Sequence, residues 1–160
     1  MPHVLVGRLE KMFIYVLIAS LSVIFDQLIK WWTVQNIELY ETVFQNPILS
    51  LTYIRNNGAA WSIMEGQMWF FIVITLVALT VLPYLLYKYR NESKWMTIGL
   101  SLVIGGTIGN FIDRIRLNYV VDMFQVEFFN FPIFNFADVS LVIGVCCIFI
   151  YILFFEGKEN

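Results

Sequence analysis

The chain has 160 residues, 59% of them hydrophobic and only 14% charged, with a mean hydropathy of +0.74. Soluble domains run near 45–50% apolar and about 25% charged, so this composition describes a membrane protein. A net charge of −2 and one histidine, His3, argue against a nucleic-acid surface, against histidine general-base chemistry and against a zinc site of the His-Glu-x-x-His kind.

A helix needs about 20 apolar residues to cross a bilayer. Four stretches qualify, near residues 12–32, 69–87, 95–113 and 136–155. The first follows Arg8 and Lys11 but is longer than a secretory h-region and shows no small-x-small cleavage site, so it reads as an uncleaved anchor. Arg8, Lys11, Lys88, Arg90, Lys94 and Lys158 fall on one side of the resulting four-span chain. Lys30, Arg55, Arg114 and Arg116 fall on the other. The bias places both termini in the cytoplasm, and Trp31, Trp32, Trp69 and Trp95 sit near helix ends as interfacial anchors. The fold class expected is therefore mostly α and integral to the membrane, with four transmembrane helices forming one membrane-embedded domain over residues 1–160. Cys146 and Cys147 are adjacent in an apolar run and read as packing residues.

The connections at residues 33–68 and 115–135 are expected outside the cell. In the first, Leu49, Leu51 and Tyr53 alternate with Ser50 and Thr52, the period of a half-buried strand, and Asn56-Asn57-Gly58 reads as a turn. Val120–Phe128 is rich in β-branched and aromatic residues. A small extracytoplasmic sheet follows, its apolar side expected to dip toward lipid.

This topology gathers the acids on one side. Asp26 is expected to end the first helix, Asp113 to end the third and Asp138 to begin the fourth; Asp122 lies between the last two. Asp26 and Lys30 are four apart and share a helix face, either as a structural ion pair with Lys30 reaching toward headgroups or as a brace for the loop. Gly105 and Gly109 make a small-xxx-small surface for close helix approach. Asn110, Asp113 and Arg114 add a polar cluster, in which Arg114 could hold an acid charged. Asp122 interrupts an apolar, strand-like run. Asp138 stands before an uncharged run reaching Phe155, where Asn135 is an alternative helix cap.

Two carboxylates side by side in a partly dry site do not both ionise readily; one keeps a proton. The pair then offers a base for water and an acid for a carbonyl. This chemistry of aspartic proteases needs no metal, no cofactor and no histidine. A proton-coupled transporter would carry its acids near the bilayer midplane, where these helices lack charge. An assembly module would tolerate neutral replacements of Asp122 and Asp138.

Five blocks carry a resemblance: Asp26-Gln27-Leu28-Ile29-Lys30, Asn57-Gly58-Ala59-Ala60-Trp61, Gly109-Asn110-Phe111-Ile112-Asp113-Arg114, Val120-Val121-Asp122 and Phe134-Asn135-Phe136-Ala137-Asp138. In this order on a four-helix chain they resemble the bacterial lipoprotein signal peptidases, with Trp61 and Met123 where that family often has Phe. The resemblance implies an aspartic endopeptidase of the bacterial cytoplasmic membrane, with Asp122 and Asp138 as catalytic dyad. It implies lipid-modified prolipoproteins as substrates, cut before the diacylglyceryl-cysteine. Asn57, Gly106, Asn110, Asp113, Arg114 and Asn135 would line or support the site, with Asp26 and Lys30 structural. No metal and no cofactor is implied; the partners expected are the prolipoprotein and membrane lipid, with the enzyme acting as a monomer.

Overall fold

The computed structural model describes residues 2–58, 64 and 66–155, with side chains from residue 11 onward. Ala59, Ala60, Trp61 and Lys158 lie outside the described residues, as do the side chains of His3 and Arg8. Among the described residues there are four helices: α1 (Pro2–Asn36), α2 (Met68–Tyr89), α3 (Lys94–Leu117) and α4 (Phe136–Phe154). Each contains a span long and apolar enough to cross a membrane, as the composition requires. Three strands, β1 (Thr42–Val43), β2 (Leu49–Asn56) and β3 (Val120–Val126), form an antiparallel sheet in the order β1-β2-β3.

α3 is the central helix. Of its apolar span 56% is buried in protein, against 11–22% for the other three. It packs against α1, α2 and α4, so the polar residues it carries are screened from lipid by its neighbours. Small residues make this possible. A Cβ at Gly106 would lie 2.5 Å from the carbonyl oxygen of Ala137 on α4, and one at Gly105 2.7 Å from Ser22 on α1. Farther along, Gly99 and Gly144 face each other across α3 and α4. Without side chains at these points the helix axes approach closely enough for dispersion and short hydrogen bonds to replace contact with lipid. Cys147 lies against Gly99 while Cys146 is exposed on the outer face of α4, so only one of the two cysteines packs inside the protein.

α1 buries one narrow stripe, Tyr15, Ala19, Ser22, Asp26, Lys30 and Thr33, which Ile37 continues just past the helix end, at the three-and-four spacing of a single helix face. It runs past Asp26 to Asn36, because nothing between them breaks a helix. Asp26 is therefore an interior position rather than a helix end, and α3 likewise continues past Asp113 to Leu117 before Asn118, at φ 61°, closes it in the left-handed conformation.

The sheet differs from expectation in what covers it. Tyr53, Val121 and Met123 pack with Ile37 and Ile29 at the end of α1, so the apolar side rests on protein instead of facing lipid. The opposite side is not simply solvated. Thr52 Oγ1 lies 2.6 Å from Gln125 Oε1 and 2.8 Å from Thr42 Oγ1, and Ser50 bonds Glu127, a polar ladder across all three strands that buries Ser50 and Thr52. A register shift on β2 between Leu51 and Ile54 sets which residues beyond it face the helices.

Candidate active site

Asp138 lies in the first turn of α4. Asn135 is the N-cap: its Oδ1 accepts the backbone N–H of Asp138 at 3.0 Å, and Asp138 Oδ2 accepts the N–H of Asn135 at 3.1 Å. This reciprocal capping box satisfies two otherwise orphaned donors. Cap and acid are thus one motif. With its oxygen committed to α4, the Asn135 amide turns its nitrogen outward, 2.6 Å from Asp122 Oδ1 and 3.0 Å from Asn110 Oδ1. The amide orientation follows from these partners, since a donor must face each acceptor. One residue therefore touches both acids.

Asp122 projects from β3. Its second oxygen accepts from Asn56 Nδ2 at 2.8 Å. Asp138 Oδ1 accepts from Asn110 Nδ2 at 2.8 Å. Each carboxylate thus holds one donor per oxygen, and none of these donors is a cation. Asp122 is only 1% exposed, while Asp138 is half-buried. Burial, and then the neighbouring Asp138, push the Asp122 carboxyl up to about 7; its amide partners and Lys30 oppose the rise without cancelling it. At neutral pH Asp122 therefore stands near half protonation.

Behind the acids lies a second polar group. Lys30 Nζ is 2.9 Å from Asp26 Oδ2, 3.0 Å from Asp113 Oδ2 and 3.0 Å from Asn110 Oδ1. All three ammonium donors are used, and Lys30 is 3% exposed. Lys30 is consequently a buried cation shared by two helices and does not reach toward headgroups. Gln27 Nε2 adds a bond to Asp113 Oδ1 at 3.0 Å.

Both acids open onto a groove of about 660 Å³ between α2 and α4, floored by α3. Ile74, Thr75 and Ala78 form one wall, Val139 and Val142 the other, and Phe131–Phe134 the end beside the sheet. Arg114 lines the same groove with its guanidinium 5.0 Å from the centre of the Phe71 ring. It makes no ion pair among the described residues, and its Nε has no hydrogen-bond partner there. Its charge acts on the acids through space, without the direct pairing that would lock one of them ionised.

The residues singled out by sequence meet here with one substitution of position. Asn110, Asp113, Arg114, Asn135, Asp122 and Asp138 converge, and Gly106 brings α3 against the start of α4. Asn57 does not join them: its side chain is exposed, and its preceding neighbour Asn56 bonds Asp122. Asn56 is the last residue of β2 and reaches Asp122 on β3, whereas Asn57 lies beyond the strand's end, a boundary the sequence does not mark. Among the described residues no group of three or more His, Cys, Asp or Glu is arranged to hold a metal.

Comparison with known proteins agrees with this arrangement. The family model described as signal peptidase (SPase) II matches residues 18–154. The lipoprotein signal peptidase of Enterococcus faecalis is 56% identical over 150 residues, covering 92% of this chain and 93% of that protein. That of Lactiplantibacillus plantarum is 54% identical over 151 residues, 93% of this chain and all of its own length. A bacterial membrane enzyme solved in meso at 2.3 Å superposes with a TM-score of 0.85 at 39% identity, covering 91% of each chain; a second, at 1.9 Å, gives 0.76 at 39% identity, covering 88% of this chain and 92% of its own. Sequence, fold and the convergence of polar residues point one way, and the chain belongs to the signal peptidase II family.

Proposed function

We propose that this protein is an aspartic endopeptidase that removes signal peptides from lipid-modified prolipoproteins, cutting before the diacylglyceryl-cysteine. The observation that carries the reading is the unequal pair: two carboxylates bound to one asparagine on one groove, with no cation between them.

Asp122, more deeply buried and raised to about 7, is the member that keeps the proton. Asp138 is more accessible and sits in the first turn of α4, where the helix dipole favours a negative charge. Asp138 takes a proton from water as the water oxygen attacks the scissile carbonyl carbon. Asp122 donates its proton toward the carbonyl oxygen, which develops negative charge. As the resulting gem-diol collapses, one of its hydroxyls returns a proton to Asp122, Asp138 gives the proton it took from water to the leaving nitrogen, and the C–N bond breaks. The products are a signal peptide with a new carboxylate and a lipidated cysteine with a free amine. The macroscopic pKa values belong to the pair, since the two sites are coupled.

The groove suits such a substrate. Its walls are aliphatic and open sideways between α2 and α4, so a signal helix can enter from lipid without crossing water, while the acyl chains stay in the bilayer. Basic residues Lys88, Arg90 and Lys94 at the opposite end of α2 and α3 support an orientation with the dyad at the outer face and both termini in the cytoplasm. The dyad is complete within one chain, which supports action as a monomer.

Purified enzyme in detergent, given a prolipoprotein with and without its diacylglyceryl group, tests the reading. Cleavage of the lipidated form alone, lost in both Asp122→Asn and Asp138→Asn, is expected. Parental rates in either variant would remove the dyad; preference for the unlipidated precursor would remove the substrate assignment.

A further inference from the structure

The two acids of the dyad belong to different elements, β3 and α4, and a hydrolytic pair works only if their separation is held closely. Side-chain amides orient the carboxylates. The backbones that carry them meet at the Phe124–Phe134 bridge, and the buried charges behind the groove add a hold on each. Asp113 Oδ2 accepts the backbone N–H of Val121 at 3.1 Å, the residue immediately before Asp122. Asp26 Oδ1 accepts the backbone N–H of Ala137 at 2.9 Å, the residue immediately before Asp138. The Ala137 N–H is one of the first-turn donors a helix cannot satisfy internally, and here its acceptor comes from another helix. Lys30 then ties both carboxylates to one ammonium, at 2.9 and 3.0 Å, and spends its third donor on Asn110 Oδ1. That last bond leaves the Asn110 nitrogen no choice but to face Asp138.

We propose that Asp26, Lys30 and Asp113 are positioning residues forming a two-armed clamp, each arm gripping the peptide N–H beside one member of the dyad, so that the two acceptor oxygens hold the spacing of the two acids. The clamp rests on the catalytic reading of Asp122 and Asp138 given above. It reaches no substrate atom; it acts through backbone placement. The acceptor oxygen carries the grip, and the shared ammonium strengthens it through charge-assisted bonds.

The test uses purified full-length enzyme in detergent, a diacylglyceryl-modified prolipoprotein, and separate measurement of kcat, KM and thermal unfolding. Asp26→Leu and Asp113→Leu keep bulk but offer no acceptor; Asp26→Asn and Asp113→Asn keep an oxygen for the backbone N–H. A misplacement near 1 Å costs on the order of a hundredfold in rate. Each Leu variant is therefore expected to lose about that much kcat, with KM changed less than about twofold and each Asn variant recovering most of the loss. Because Leu beside a buried Lys30 can prevent folding, a neutral triple variant, Lys30→Met with Asp26→Asn and Asp113→Asn, carries the test independently. It holds both acceptors and no charge, and is expected to fold and to keep kcat within about tenfold.

A folded Leu variant with parental kcat overturns the clamp, as do Leu and Asn variants equally impaired, or a folded triple variant without activity. Asp122→Asn and Asp138→Asn run alongside separate the two claims. If either still cuts, the dyad reading fails whatever the clamp variants do. If both are inactive and the Leu variants are unimpaired, only the clamp fails.

Discussion

Two pairs of aspartates share one end of this protein and differ in what lies between them. Asp26 and Asp113 are separated by Lys30, which neutralises part of their charge and uses every donor it has. Asp122 and Asp138 are separated by Asn135, which supplies hydrogen bonds and no charge. The same functional group thereby meets a cation in one place and only neutral donors in the other. A carboxylate bonded to a buried ammonium and to a backbone N–H is tied into the structure. A carboxylate facing another carboxylate across an amide must share a proton, and sharing is what general acid–base chemistry needs.

The contrast can be broken at several points. The largest effect is expected from Asp138→Asn or Asp122→Asn, which removes the base or the acid; kcat for prolipoprotein cleavage should fall by about 10²–10⁴-fold while the thermal transition stays. Next is Lys30→Met alone. Stranding two buried carboxylates without their cation should cost about 3–5 kcal/mol, read as a lower midpoint in thermal or denaturant unfolding in the same detergent.

The pH dependence sharpens the comparison further. In the proposed mechanism Asp122 acts protonated, and its carboxyl is raised to about 7, so kcat should fall as pH rises through that value. The linkage has the same direction. The folded state binds a proton that an unfolded Asp, at 3.8, has released. Asp122 therefore makes the protein less stable as pH climbs from about 4 to 7. Asp26 and Asp113 lie behind the dyad, and removing Lys30 should shift the alkaline limb upward, because its positive charge opposes protonation of Asp122. The smallest effect belongs to Ser22→Ala. It removes a buried 2.8 Å bond to Ser140 between α1 and α4, costing about 1 kcal/mol, and should leave the cleavage rate unchanged.

Local signals made much of this legible. Four long apolar runs announced four helices. Asp26 and Lys30, four apart, announced a shared face, and Asp122 and Asp138 stood out because acids are rare in apolar surroundings. What stayed hidden depends on contacts between distant segments. Lys30 finds Asp113 across α1 and α3, which no spacing in the sequence reveals. That Asn56 bonds Asp122 while Asn57 is exposed depends on where β2 ends and pairs with β3. The sheet's apolar side is covered by Ile37, at the end of a helix longer than its apolar run. Gln27 follows Asp26 in the sequence with no spacing signal of its own, and its bond to Asp113 explains its place.

Infrared difference spectroscopy of the purified protein tests the central claim most directly, with the Asp122 carboxyl band identified by its loss in Asp122→Asn. The account predicts a protonated carboxyl at about pH 6 that disappears with a midpoint near 7. A band already absent at about pH 5, as for an ordinary aspartate, would contradict it.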